Sequence, residues 1–105
     1  VRRILILPEV LNDIKDAADW YEGTGDSGLG ERFIDTFYES HSNLMSHGEI
    51  HRKVYRNFRK VLLRPFSYKL FYRLKGNVCA IALVIHEARD PKNIHRLLDD
   101  RDSRI

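Results

Sequence analysis

Between Arg56 and Lys75 the chain reads RNFRKVLLRPFSYKLFYRLK, a stretch without a single carboxylate. Side chains two apart on a strand share a face. Lys69, Arg73 and Lys75 therefore belong together, and Lys60 and Arg64 form the outward pair of the strand before them. A face carrying these five cations is chemically suited to binding an anion, by the contacts through which ammonium and guanidinium groups neutralise phosphates. Like charges on adjacent strands repel by roughly a few tenths of a kcal/mol per pair, so selection for stability alone would intersperse acids. The plain alternatives are a solvated surface or a landing face for acidic residues of a partner. Phe71, standing among the bases, would stack on a nucleobase if exposed, and would be core if another element covered it. His41, His47, His51 and His95 have no metal-ligand spacing, so neither a metal nor another cofactor is expected.

The elements that must hold this face follow from the hydrophobic periods. Arg2 to Leu7 reads as a short strand ended by Pro8, a residue suited to the first turn of a helix. A helix to about Glu22 is expected, with Leu11, Ile14, Ala18 and Tyr21 as its buried stripe and its acids on solvated surface. GTGDSGLG breaks it, and Asp26 or Ser27 can cap a second helix to about Ser46, with Leu29, Phe33, Phe37 and Leu44 inward. So short a connection makes the pair an antiparallel hairpin. His47 to Arg52 reads as loop. Strands are expected over Asn57–Arg64 and Tyr68–Lys75, joined by a turn at Pro65, and over the all-apolar VCAIALVIH after Gly76 and Asn77. Pro91 opens a last short helix whose Ile94, Leu97 and Leu98 can dock on the sheet. The predicted order is β-α-α-β-β-β-α, an α+β fold with a helical hairpin packed on a small, mostly antiparallel sheet.

At 105 residues and 43% hydrophobic content this is expected to be one domain, 1–105. The net charge of +3 conceals a strong asymmetry. Residues 1–51 carry ten acids and four bases, residues 52–75 carry nine bases and no acid, and residues 76–105 carry five of each. Such polarity favours an anionic partner or electrostatic steering. Cys79 is alone and lies in an apolar run, so it reads as a small buried hydrophobe in a reducing compartment. With no apolar run of membrane-spanning length and no signal-peptide pattern, a cytoplasmic location without membrane association is expected.

Nearly the whole chain resembles the RelE/ParE superfamily of toxins from bacterial type II toxin-antitoxin systems, also known as plasmid stabilisation proteins. DIKDAADWYE, GLGERFIDTF, YRNFRKVLLRPFSYKLFYRLKGN and ALVIHEARDPKNI carry the resemblance. It implies a cognate antitoxin that neutralises the toxin, and a toxin-antitoxin complex that binds operator DNA through the antitoxin. Two mechanisms are open within it. ParE-like members inhibit DNA gyrase by binding, whereas RelE-like members cleave mRNA on the ribosome. For the second, metal-independent route, the resemblance places Lys60 and Lys69 on the middle strands, Arg89 after the last strand and His86 at its end. The tyrosine expected beyond the arginine is absent, with His95 nearby, and HEARDP looks more like the ParE branch. Structural roles compete for the same residues: His86 can bond Asp90 or a backbone group, Arg89 and Asp90 can pair to fix the turn, and Trp20 and Tyr21 can be core and rim packing.

Overall fold

The computed structural model describes residues 1–105. A first strand, β1 (Arg3–Ile6), leads into α1 (Pro8–Glu22) and α2 (Leu29–His47), a single 3-10 turn (Gly48–Ile50), then β2 (Lys53–Tyr55), β3 (Phe58–Leu62), β4 (Tyr68–Lys75), β5 (Val78–His86) and α3 (Pro91–Asp102). The sheet order is β1-β5-β4-β3-β2, antiparallel throughout except that β1 lies parallel to β5. The α+β architecture matches the sequence expectation, with β2 as an additional short edge strand. β2 lacked an apolar run because Lys53 and Val54 are both exposed.

β5 is the centre of the molecule: seven of its nine residues are buried, as an all-apolar strand covered on both faces requires. On one face, α1 and α2 pack over Leu70, Tyr72, Cys79 and Ile81. α3 covers part of the other, with Ile94 and Leu98 buried. Phe71 lies on that second face opposite Leu83 and is 4% exposed, so it is core and unavailable for stacking. Cys79 is fully buried, and desolvation pushes its thiol up to about 11, which keeps it protonated.

Two local expectations are corrected. The buried stripe of α1 is Val10, Ile14, Ala17 and Ala18, rotated from the expected one, and Leu11 is 52% exposed. The small side chains of Ala17 and Ala18 mark the closely packed side of the helix, which a search for bulky hydrophobes passes over. Neither Asp26 nor Ser27 caps α2. Gly28 occupies the cap position at φ 90°, and the Glu22 carboxylate at the end of α1 accepts from the N–H groups of Gly28 (3.1 Å) and Gly30 (3.0 Å).

Those two backbone donors hold the Glu22 carboxyl below its ordinary value of 4.5. A group depressed in the folded state contributes stability above its unfolded pKa, and the contribution disappears as pH falls through the folded value. Glu22→Gln should therefore lower the melting temperature near neutrality. It should also flatten the loss of stability seen when the wild-type chain is titrated from about pH 5 downward, a comparison that melting curves across pH would make.

Candidate functional site

The acid-free strands obtain their acids from the C-terminal part of the chain. Arg73 on β4 donates to Asp102 at 2.7 Å, Arg64 lies 3.4 Å from Glu87, and Lys75 donates to the Ile105 carbonyl at 3.2 Å. Arg56, at φ 50° in the β2–β3 turn, pairs with Asp99 at 3.0 Å. Arg59 projects to the other side of the sheet and donates to the carbonyls of His51 (2.6 Å) and Glu49 (3.1 Å). Of the five cations proposed for a binding face, Arg64, Arg73 and Lys75 thus have intramolecular partners. Lys60 and Lys69 have none.

Lys60 and Lys69 meet in a hollow of about 160 Å³ between β3, β4 and the start of α3. The register sets Lys60 opposite Phe71 and Leu62 opposite Lys69, which places the two lysines diagonally on one face. Phe71 and Ile94 give the hollow its apolar floor, and Tyr55 and His95 form a wall. The two rings are stacked with centroids 3.8 Å apart and planes within 4°. The Tyr55 hydroxyl contacts both Asp99 oxygens at 2.9 Å and accepts from Arg56 Nε at 3.0 Å, which ties the β2–β3 turn to α3.

His86 and Arg89 are elsewhere. Tyr68 pairs with His86 across β4 and β5, and the two rings pack edge-on at 5.3 Å. Tyr68 belongs to an aromatic cluster with Tyr21, Phe33 and Phe66 under the helical hairpin, at centroid separations of 4.8 to 5.9 Å. His86 accordingly faces the hairpin side, opposite to Lys69. Its Nδ1 accepts from the Ala88 N–H at 3.0 Å, and Asp90 does not bond to it. Asp90 does not pair with Arg89 either; it caps α3 by accepting from the Lys92 N–H at 2.9 Å. The turn is pinned through the helix terminus instead.

His86 and Arg89 line a second hollow of about 290 Å³ with Asp13, Asp16, Trp20 and Arg101, and it shares no residue with the first. Trp20 is 59% exposed at its rim, while Tyr21 packs inward. Here β1 has ended, so β5 beyond Ile81 loses a strand neighbour. The Asp13 carboxylate accepts from the Val84 N–H at 3.2 Å, and Arg101 Nη1 donates to the Ala82 carbonyl at 2.9 Å and to Asp13 at 2.7 Å. One ion pair thereby joins α1, the unpaired edge of β5 and α3. Asp13 was expected on solvated surface; its side chain is 16% exposed and that of Arg101 is 11%. Neither residue carries a local signal of this role, because they lie 88 positions apart.

A helical hairpin over one face of a five-stranded sheet, and a C-terminal helix neutralising cationic strands on the other, define a small α+β protein with two separate polar hollows. The family model for the ParE toxin of type II toxin-antitoxin systems, parDE, matches residues 4–91. The chain belongs to that family. A solved structure of the chromosomal ParDE TA system from P. aeruginosa superposes with a TM-score of 0.72, covering 81% of this chain and 95% of that chain at 12% identity, a likeness of fold. Comparison with curated proteins finds no match. No helix is long and apolar enough to cross a membrane.

Proposed function

We propose that this toxin acts by binding rather than by cleavage, with DNA gyrase as its target and a cognate antitoxin as its neutralising partner. The observation that supports a binding mechanism is the division of the four nuclease candidates between two hollows, Lys60 and Lys69 in one and His86 and Arg89 in the other. Metal-free RNA cleavage needs a base, a cation for the phosphorane and an acid converging on one phosphodiester within hydrogen-bond reach. His86 faces the aromatic cluster instead, with Nδ1 already accepting a backbone hydrogen bond.

Purified toxin is expected to inhibit supercoiling by gyrase, and inhibition is expected to be relieved by the antitoxin. Unchanged supercoiling at a large molar excess of toxin would overturn the gyrase assignment. The RelE-like reading keeps one supporting observation, the meeting of Lys60, Lys69 and His95 in a single hollow. It requires translated mRNA to be cut within codons in cells expressing the toxin, and intact transcripts during growth arrest would remove it.

A further inference from the structure

Nine bases lie between residues 52 and 75. Arg56, Arg64 and Arg73 have carboxylates, Arg59 and Lys75 have carbonyls, and Arg52 and Lys53 are exposed to water. Lys60 and Lys69 differ from all of these. Both are half-buried, they share one hollow, and neither donates to any protein group. No acid lines that hollow, although Asp99 and Asp102 serve arginines from the same helix that bounds it. Partial burial raises the cost of leaving two like charges side by side without a counter-ion.

We propose that the hollow bounded by Lys60, Lys69, Tyr55 and His95 binds a phosphate group. Two ammonium groups offer several N–H donors in different directions, which suits the spread oxygens of a tetrahedral oxyanion better than the two of a planar carboxylate. The His95 ring is fixed against Tyr55, which is itself held by Asp99, so this wall is already ordered before a ligand arrives. At about 160 Å³ the hollow is smaller than the usual small-molecule cleft of about 300 Å³ or more. It admits a phosphate group with the stub of its ester, while the rest of the ligand would lie outside. The site is independent of the gyrase assignment, since it is read by direct binding to the toxin alone.

The test is an NMR titration of the isotope-labelled full chain, following the lysine Nζ and histidine ring signals. One arm uses inorganic phosphate, and a second uses a short oligonucleotide lacking terminal phosphates. Saturable shifts confined to Lys60, Lys69 and His95 are expected. Saturation by inorganic phosphate alone assigns the site to a free or terminal phosphate, and saturation by the oligonucleotide assigns it to a backbone phosphodiester. Lys60→Met should weaken the responding arm about tenfold or more, while Lys53→Met leaves it unchanged, with thermal melts confirming that both variants fold. Shifts that never saturate, or that spread over all lysines and survive Lys60→Met, overturn the proposal. So does saturation of the hollow by a Glu-rich peptide where phosphate fails.

Discussion

Arg101→Ala is expected to destabilise the fold by about 3–5 kcal/mol, the cost of removing one member of a buried ion pair and leaving the other charge stranded. Asp13, largely enclosed between α1 and β5, would then keep the Val84 N–H as its one protein donor, and the Ala82 carbonyl would lose its side-chain donor. Against a typical total stability of about 5–15 kcal/mol, the loss is large. Urea denaturation is the measurement, with a fall in midpoint at constant slope. Replacing both partners by apolar residues, Asp13→Leu with Arg101→Met, should recover much of the loss, because a desolvated pair contributes little beyond a well-packed apolar contact. A change below about 1 kcal/mol for Arg101→Ala would mean that the pair behaves like a solvent-exposed bridge.

The second large effect comes from Gly30, near the start of α2. Alanine in place of glycine inside a helix ordinarily stabilises it, by roughly 0.5–1 kcal/mol. Here the sign should reverse. A Cβ at this position would sit 2.5 Å from the Ala18 carbonyl oxygen and 3.2 Å from Glu22 Oε1. The first is backbone and cannot swing aside, so the two helices must separate, loosening the packing of α1 on α2 and lengthening the Glu22 capping bonds. Overpacking of this kind costs about 1–3 kcal/mol, and Gly30→Ala should fall at the upper end, read as a lowered urea midpoint. A variant as stable as the wild-type chain would show that the hairpin yields without penalty.

Much of the fold was legible because hydrophobic periodicity is a local signal. The two-residue alternation of Tyr68 to Lys75 and the unbroken apolar run of Val78 to His86 marked β4 and β5 with correct ends, and Phe33, Phe37 and Leu44 marked the inner side of α2. What escaped was set by contacts between distant residues. The capping of α2 by Glu22 requires knowing how the hairpin closes. The partial enclosure of Asp13 depends on where β1 stops beside β5, and the two-hollow division of Lys60, Lys69, His86 and Arg89 depends on which face each strand residue takes. The cationic strands were visible in composition, but the assignment of their counter-charges to Glu87, Asp99 and Asp102 came only with the docking of α3.

The parallel union of β1 with β5 has a bearing on how the chain is made. Arg3 finds its partner only at Val78, and Ile6 at Ile81, so the second strand to flank the central one comes from 75 residues earlier in the chain. Closing so large a loop must precede any reward from the pairing, which slows folding relative to local elements. During synthesis the helical hairpin can form early, whereas β1 cannot be paired until Val78 to Ile81 have left the ribosome. A nascent toxin is thus expected to remain inert until β5 has emerged, leaving an interval in which a previously made antitoxin can be waiting.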